Sequence, residues 1–170
     1  MAFDYAGGDD KLFGGDGNDQ LVADYPCGNH EFHGGDGFDI AGFARSGDLP
    51  IKAQLGGNAA EAQPFHGRAF NPALCPDFGK WGTTIASDLE VLEAAGGHDE
   101  LWGDDGPNTI WGRGGSDDIH PLGGNDDVKG ADGFDRIWAK DGKHDRITCG
   151  AGGRLMDFDP EDLPAANCQH

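Results

Sequence analysis

A large aliphatic residue returns every nine positions through the second half of the chain, at Leu101, Ile110, Ile119, Val128 and Ile137. Two residues before each stands an acid or an amide: Asp99, Asn108, Asp117, Asp126 and Asp135. Two before that comes a glycine: Gly97, Gly106, Gly115, Gly124 and Gly133. Three residue classes held in phase over five units mark an internal repeat, not compositional drift. The unit recurs near the start as GGDGNDQLV (Gly14–Val22), preceded by the shorter GGDDKLF (Gly7–Phe13), and again as GGDGFDIAG (Gly34–Gly42). Between them YPCGNHEFH (Tyr25–His33) is a degraded copy, with His30 at the acidic place. After Trp138 the period slips by one, so Asp145 and Ile147 take the acidic and aliphatic places. The last copy, CGAGGRLMD (Cys149–Asp157), reads with Arg154 at the acidic place.

Residues 43–93 break the pattern. LPIKAQL (Leu49–Leu55) and SDLEVLE (Ser87–Glu93) read as strands. The stretch between them holds Pro64, Pro72, Pro76 and several aromatics, which suggests an ordered loop on the surface, where function often resides.

Charge changes the picture. Acidic residues number 31 against 12 basic ones, a formal charge of −19 that opposes compaction through self-repulsion. Glycine contributes 31 of 170 residues and costs backbone entropy, so a stable fold must use it in tight or left-handed turns. Composition alone points to disorder. The repeat overturns that reading, provided something cancels the charge.

Nucleic acid is excluded as a partner, because no basic stripe is present to displace counterions from phosphate. No apolar run approaches the ~18 residues of a membrane-spanning helix. The start, MAFDYAGGDD, has neither the basic end nor the hydrophobic stretch of a signal peptide. The expectation is that export signals were removed or that the chain is a module of something larger. Four cysteines, Cys27, Cys75, Cys149 and Cys168, permit three pairings, and their even number fits an oxidising, extracellular setting. Four free thiols are the alternative.

The aligned units match GGxGxDxUx, with U a large aliphatic, and this resembles the RTX, or haemolysin-type, calcium-binding nonapeptide repeat. The resemblance covers roughly residues 5–42 and 94–157. It implies an all-β, parallel β-roll: a two-sheet solenoid in which six residues form a turn and three a strand, with two nonapeptides per coil. Residues eighteen apart then stack on one sheet about 4.8 Å apart. On this reading residues 1–170 form one calcium-binding domain, with N-terminal repeats (5–42), an insert (43–93), C-terminal repeats (94–157) and a cap (158–170). Leu12, Leu21, Phe32, Leu101, Ile110, Ile119, Val128, Ile137 and Ile147 are expected between the sheets, one per repeat.

The insert resembles those of bacterial family members, which leave through an acidic segment matched here by Asp88-Leu89-Glu90; it is expected to be a side hairpin packed on the roll. The end, DRITCG through NCQH, is similar to the terminal cap of actinobacterial-type members. That similarity favours a Cys149–Cys168 disulfide, with Cys27–Cys75 tying the insert down.

The chemistry of the repeat is that of a hard cation. Glycine-rich turns leave carbonyl oxygens free and close together, and add an aspartate; Ca²⁺ accepts six to eight such oxygens in flexible geometry, where Mg²⁺ demands an octahedron. Metal between stacked turns converts repulsion into cross-linking, so binding couples to folding. The expected pairs are Asp99 with Asp117 and Asp117 with Asp135 on one edge, and Asn108 with Asp126 and Asp126 with Asp145 on the other. In the first block Asp19 pairs with Asp39, and Asp10 weakly with His30. Asp16, Asp36, Asp105, Asp132 and Asp141, at the third place, are expected to add backbone oxygens and negative field. About four or five ions would bring −19 to about −11 or −9, at +2 each. The last turn, with Arg154, is expected to hold none.

Trp102, His120 and Trp138, each eighteen apart at the ninth place, should face outward in one file, with Trp111 at that place on the opposite sheet. A neighbouring domain, the insert or a neutral glycan is the expected cover for that face. The repeat modules of mannuronan epimerases are the family precedent for a glycan, and the charge argues against a polyanionic one such as alginate. Ice binding needs a flat row of Thr and Asn that the turns lack. Cys27, His30 and His33 form C-x2-H-x2-H, a spacing that zinc accepts but that a strand or turn does not place on one face. No G-x-S-x-G elbow, H-E-x-x-H pair or P-loop occurs, so no catalytic residue is assigned. The best reading is a secreted, calcium-stabilised structural or adhesive module.

Overall fold

Short strands, of three to seven residues, form where the repeat places its aliphatic residue, because a buried position between more exposed neighbours suits a strand with one covered face. A computed structural model of the chain describes residues 2–4, 11–23, 31–43, 52–56, 68–70, 83–86, 88–162 and 166–169. Strands are numbered in chain order. One sheet holds seven strands, in the order β1 (Ala2–Asp4), β3 (Gln20–Ala23), β5 (Ile40–Gly42), β9 (Val91–Glu93), β11 (Thr109–Gly115), β13 (Asp127–Gly133) and β15 (Arg146–Thr148). The other holds nine, in the order β16 (Arg154–Asp157), β14 (Arg136–Trp138), β12 (Asp118–His120), β10 (Glu100–Trp102), β6 (Lys52–Gln54), β7 (Arg68–Phe70), β8 (Thr83–Ile85), β4 (Glu31–Asp36) and β2 (Lys11–Asp16). The chain alternates between sheets, so each sheet is built from parallel neighbours one coil apart. Leu101 pairs with Ile119 and Ile119 with Ile137 on one sheet; Ile110 pairs with Val128 and Val128 with Ile147 on the other. This is the all-β, two-sheet parallel roll that the period implies.

All nine aliphatic or aromatic residues expected between the sheets are buried there. The core is nevertheless not uniformly thin. The insert is no side hairpin: its three strands are sewn into the second sheet, β6 parallel to β10, β7 antiparallel to both neighbours, and β8 parallel to β4. The chain jumps forward to β6 and works back to β8 before β9 resumes the first sheet beside β5. Two extra strands widen that sheet by roughly 10 Å relative to its partner, at about 4.8 Å each. Bulk fills the space this opens. Phe32, Phe43, Leu55, Ile85, Leu89 and Leu92 are all buried here, with the Phe32 and Phe43 rings 6.1 Å apart and nearly parallel. The expected Cys27–Cys75 link falls outside the described residues.

A second correction concerns the last coil. Arg136 pairs with Arg154 and Ile137 with Leu155, so the acidic place falls on Gly153, not on Arg154. Ile137 to Ile147 spans ten residues and Ile147 to Leu155 eight, so one slip cancels the other and the second sheet keeps its spacing of eighteen. Beyond it, residues 166–169 cross the end of the roll. Ala166 bonds to the first sheet at Ile147 and Cys149, and Gln169 to the second at Gly153 and Leu155. The Cys149–Cys168 disulfide holds this segment in place, covering sheet edges that a solenoid must protect.

Phe43→Ala, measured by denaturant unfolding in excess calcium, is expected to destabilise the protein by about 3–5 kcal/mol. A loss below about 1 kcal/mol would mean that the core is not sealed beneath the insert.

Candidate metal centre

The turns between strands repeat one hydrogen bond. At the acidic place, the backbone N–H of one coil donates to a carboxylate oxygen of the next coil. Along the edge leading from the first sheet to the second, Asp99 N–H meets Oδ1 of Asp117 at 2.9 Å and Asp117 N–H meets Oδ1 of Asp135 at 3.0 Å. Along the return edge Asn108 N–H meets Asp126 at 2.8 Å, and Asp126 N–H meets Asp145 at 2.9 Å. Asp19 N–H meets Asp39 at 2.7 Å on that same edge. The five pairs expected from spacing are thus brought together. Asp10 and His30 lie outside the described residues.

Two further residues join the return edge that sequence spacing had not supplied. Glu90 Oε2 accepts the Asp39 N–H at 2.9 Å, and Asp162 Oδ1 accepts the Asp145 N–H at 3.0 Å. Glu90 sits in the exit of the insert, nine residues before Asp99 and eighteen before Asn108, so extending the period one step back would have found it. Asp162 sits in a 3-10 turn of the cap, Pro160–Asp162. Its position seventeen residues after Asp145 was the only available signal.

What distinguishes these acids is their second oxygen. In Asp39, Asp117, Asp126, Asp135 and Asp145 it is buried without a hydrogen-bond partner. By contrast, Asp99 Oδ2 accepts Ala95 N–H, Asn108 Oδ1 accepts Asp104 N–H, and Asp162 Oδ2 accepts Asp159 N–H. The C-terminal ladders therefore begin in residues satisfied by backbone, the return edge also ends in one, and the members between are not satisfied. A buried carboxylate left this way is strongly unfavourable unless protonated or paired with a cation. Burial accordingly pushes the carboxyl groups of Asp117 and Asp126 up to about 8 and that of Asp145 to about 6, and raises that of Asp135.

The orphaned oxygens have company of the right chemistry. A Cβ added to Gly112 would lie 2.5 Å from Oδ2 of Asp117 and 2.9 Å from the carbonyl of Gly130, so this glycine keeps open a space lined by both. A Cβ on Gly130 would meet Oδ2 of Asp135 and, at 2.5 Å, the carbonyl of Cys149. No group of three or more His, Cys, Asp or Glu side chains converges on a point among the described residues. A carboxylate oxygen with backbone carbonyls is a hard, all-oxygen donor set, which fits Ca²⁺ and not zinc. Of the C-x2-H-x2-H residues only His33 is described; it stacks on Phe13 at 5.0 Å and lies 3.7 Å from Glu31.

The third-place residues differ from the orphaned acids in their exposure. Asp16, Asp36, Asp105 and Asp132 are exposed. Asp141 is half-buried and accepts the N–H groups of Gly124 and Lys143.

On the outer face of the second sheet Trp102, His120 and Trp138 do form one file. Their rings are stacked on each other, at 4.0 and 4.4 Å between centroids and 11° and 8° between planes. Burial lowers the His120 pKa, which keeps the middle ring neutral. A sugar stacks on a ring face, and in this file the faces between neighbouring rings are turned on one another. Trp111, on the opposite sheet, lies beneath the Lys129 ammonium at 5.3 Å.

Comparison with known families bears on these turns directly. The RTX calcium-binding nonapeptide repeat matches the chain in four copies, over residues 6–24, 93–128 and 122–143. These stretches match the RTX repeat model, and the fold around them is the two-sheet parallel β-roll that such repeats imply. No curated protein matches the chain. No helix among the described residues is long and apolar enough to cross a membrane.

Two outcomes follow for the acids. Because the folded carboxyls titrate above the 3.8 of an ordinary aspartate, the metal-free roll binds more protons than the unfolded chain between about pH 4 and 8. Its stability should therefore fall as pH rises through that window. Chelated protein should gain strand signal in circular dichroism as pH is lowered from 8 to 5, while calcium affinity weakens as protons compete; a signal independent of pH would contradict this. Asp117→Asn keeps the acceptor for Asp99 N–H but removes the buried charge. It should stabilise the chelated protein and yet move the calcium midpoint upward by about tenfold or more, a loss of about 1.4 kcal/mol.

Proposed function

We propose that this chain is an extracellular structural or adhesive module whose folding is switched on by calcium. The observation that carries the reading is the row of five buried carboxylate oxygens without partners, each on a stacked turn. On this reading Asp117 and Asp135 hold ions on one edge, and Asp39, Asp126 and Asp145 on the other. Backbone carbonyls such as those of Gly130 and Cys149 complete the shells. Asp19, Asp99 and Asn108 fix the ligands through their N–H groups, and Asp16, Asp36, Asp105, Asp132 and Asp141 add negative field from the turn surface. About four or five ions would lower the formal charge from −19 to about −11 or −9.

One buried aliphatic per repeat is a small apolar contribution beside the backbone entropy lost on ordering nine residues. An ion between turns adds to it by turning stacked negative charge into attraction. Millimolar calcium outside cells suits such a switch, and the Cys149–Cys168 disulfide suits an oxidising compartment.

A calcium titration under oxidising conditions, followed by far-ultraviolet circular dichroism, tests this. Chelated protein at neutral pH should show disorder or partial collapse, and strand signal should grow above roughly 0.1–1 mM calcium. Equal strand signal with and without calcium would overturn the switch.

A further inference from the structure

The turn at 34–39 lies outside the matched repeats, and on its side away from the turn Gly14–Asp19 what stacks on it is not a repeat. In the regular coils a turn's acidic residue and the next coil's first carbonyl meet at the turn's first glycine, as Asp117 and Gly130 do at Gly112. At Gly34 the same meeting recurs: an added Cβ would lie 2.5 Å from Oδ2 of Asp39 and would also strike the carbonyl of Asp88. Asp88 therefore stands where the next coil's first residue belongs. Two residues on, Glu90 Oε2 accepts the Asp39 N–H at 2.9 Å, the contact made elsewhere by an aspartate at the acidic place. Asp88-Leu89-Glu90 thus reproduces in three residues the polar contacts of a six-residue turn. Leu89 anchors the segment in the core, and the longer glutamate side chain spans the missing residues.

This site carries one more carboxylate than a regular one. Oδ2 of Asp88 accepts the Gly35 N–H at 3.1 Å, while its Oδ1 is buried without a partner. Asp39 is fully buried, and its Oδ2 is also unpartnered. We propose that Asp39 and Asp88 form a calcium site of a second kind, built between a repeat turn and the exit of the insert. Oδ2 of Asp39, the carbonyl of Asp88 and Oδ1 of Asp88 are the ligands. Glu90 is a positioning residue, holding the Asp39 backbone. The ion would fasten the segment leading into β9 to the N-terminal repeats, so that the insert is locked into the roll by metal as well as by strand pairing. The proposal rests on calcium binding by the repeats and extends it to residues that no repeat contains.

Crystals of the full chain grown with calcium, with anomalous data collected at long wavelength, test it. The expected result is a peak between Asp39 and Asp88 in addition to peaks in the turns between Gly112 and Asp145. Peaks in those turns with none at Gly34 would overturn this site alone. No peak anywhere would overturn the calcium reading as a whole. In solution, Asp88→Asn keeps the shape and the backbone carbonyl, and metal analysis should find one calcium ion fewer per chain than in the parent. An unchanged count in folded Asp88→Asn would contradict the proposal, and if that variant does not fold, the anomalous map of the parent decides.

Discussion

In five turns, those closed by Asp39, Asp117, Asp126, Asp135 and Asp145, an aspartate gives one oxygen to the backbone of the coil before it and is left, inside the protein, with a second oxygen that nothing among the described residues satisfies. The rest of the molecule is arranged around that deficit. Stacking is what creates it: strands about 4.8 Å apart bring carboxylates into files, bury them, and raise their proton affinity. Stacking also places a carbonyl of the next coil beside the orphans of Asp39, Asp117 and Asp135, so the same geometry that makes the bare turn unfavourable makes a cation favourable. A thin core beside buried charge is consistent only if the two problems share that solution.

Two ends of the files escape the deficit: a backbone N–H takes the second oxygen of Asp99, from Ala95, and of Asp162, from Asp159, whereas Asp135 ends its edge as an orphan. The last coil, with Gly153 at the acidic place, has no side chain to satisfy there and is closed by residues 166–169 and a disulfide. The insert solves a different problem. By adding three strands to one sheet it makes that sheet wider than its partner, and the largest apolar side chains gather there, so this is the part of the roll that most nearly resembles an ordinary hydrophobic core.

Much of this was legible in the sequence because a period of nine has few structural solutions. The inward aliphatics, the pairing of Asp99 with Asp117 and of Asn108 with Asp126, and the Cys149–Cys168 closure all follow positions that the repeat or its resemblance fixes. The failures share a cause: they fall where the period is broken. Arg154 was placed by counting within one copy, whereas the pairing of Ile137 with Leu155 counts across two, and there a long turn cancels a short one. Glu90 keeps the phase of Asp99 and Asn108, but the N–H it accepts is that of Asp39 across the insert, and Asp162 acts from a 3-10 turn; in both, chain distance no longer tells which N–H a carboxylate reaches. The strands of the insert could be suspected from LPIKAQL, but their place inside the second sheet is a long-range pairing that no local pattern encodes. The file of Trp102, His120 and Trp138 was foreseen, and the way its rings turn on one another was not, since spacing fixes a side chain's face but not its rotamer.

Small-angle X-ray scattering on the oxidised protein, before and after exhaustive chelation at neutral pH, addresses the dependence of the fold on metal most directly. With calcium the radius of gyration should lie close to the about 16 Å expected for a folded chain of this length. Without it the radius should rise well above that value, towards the about 44 Å of an unfolded chain and short of it where disulfides hold. A radius that stays compact when metal analysis finds the protein empty would contradict the account.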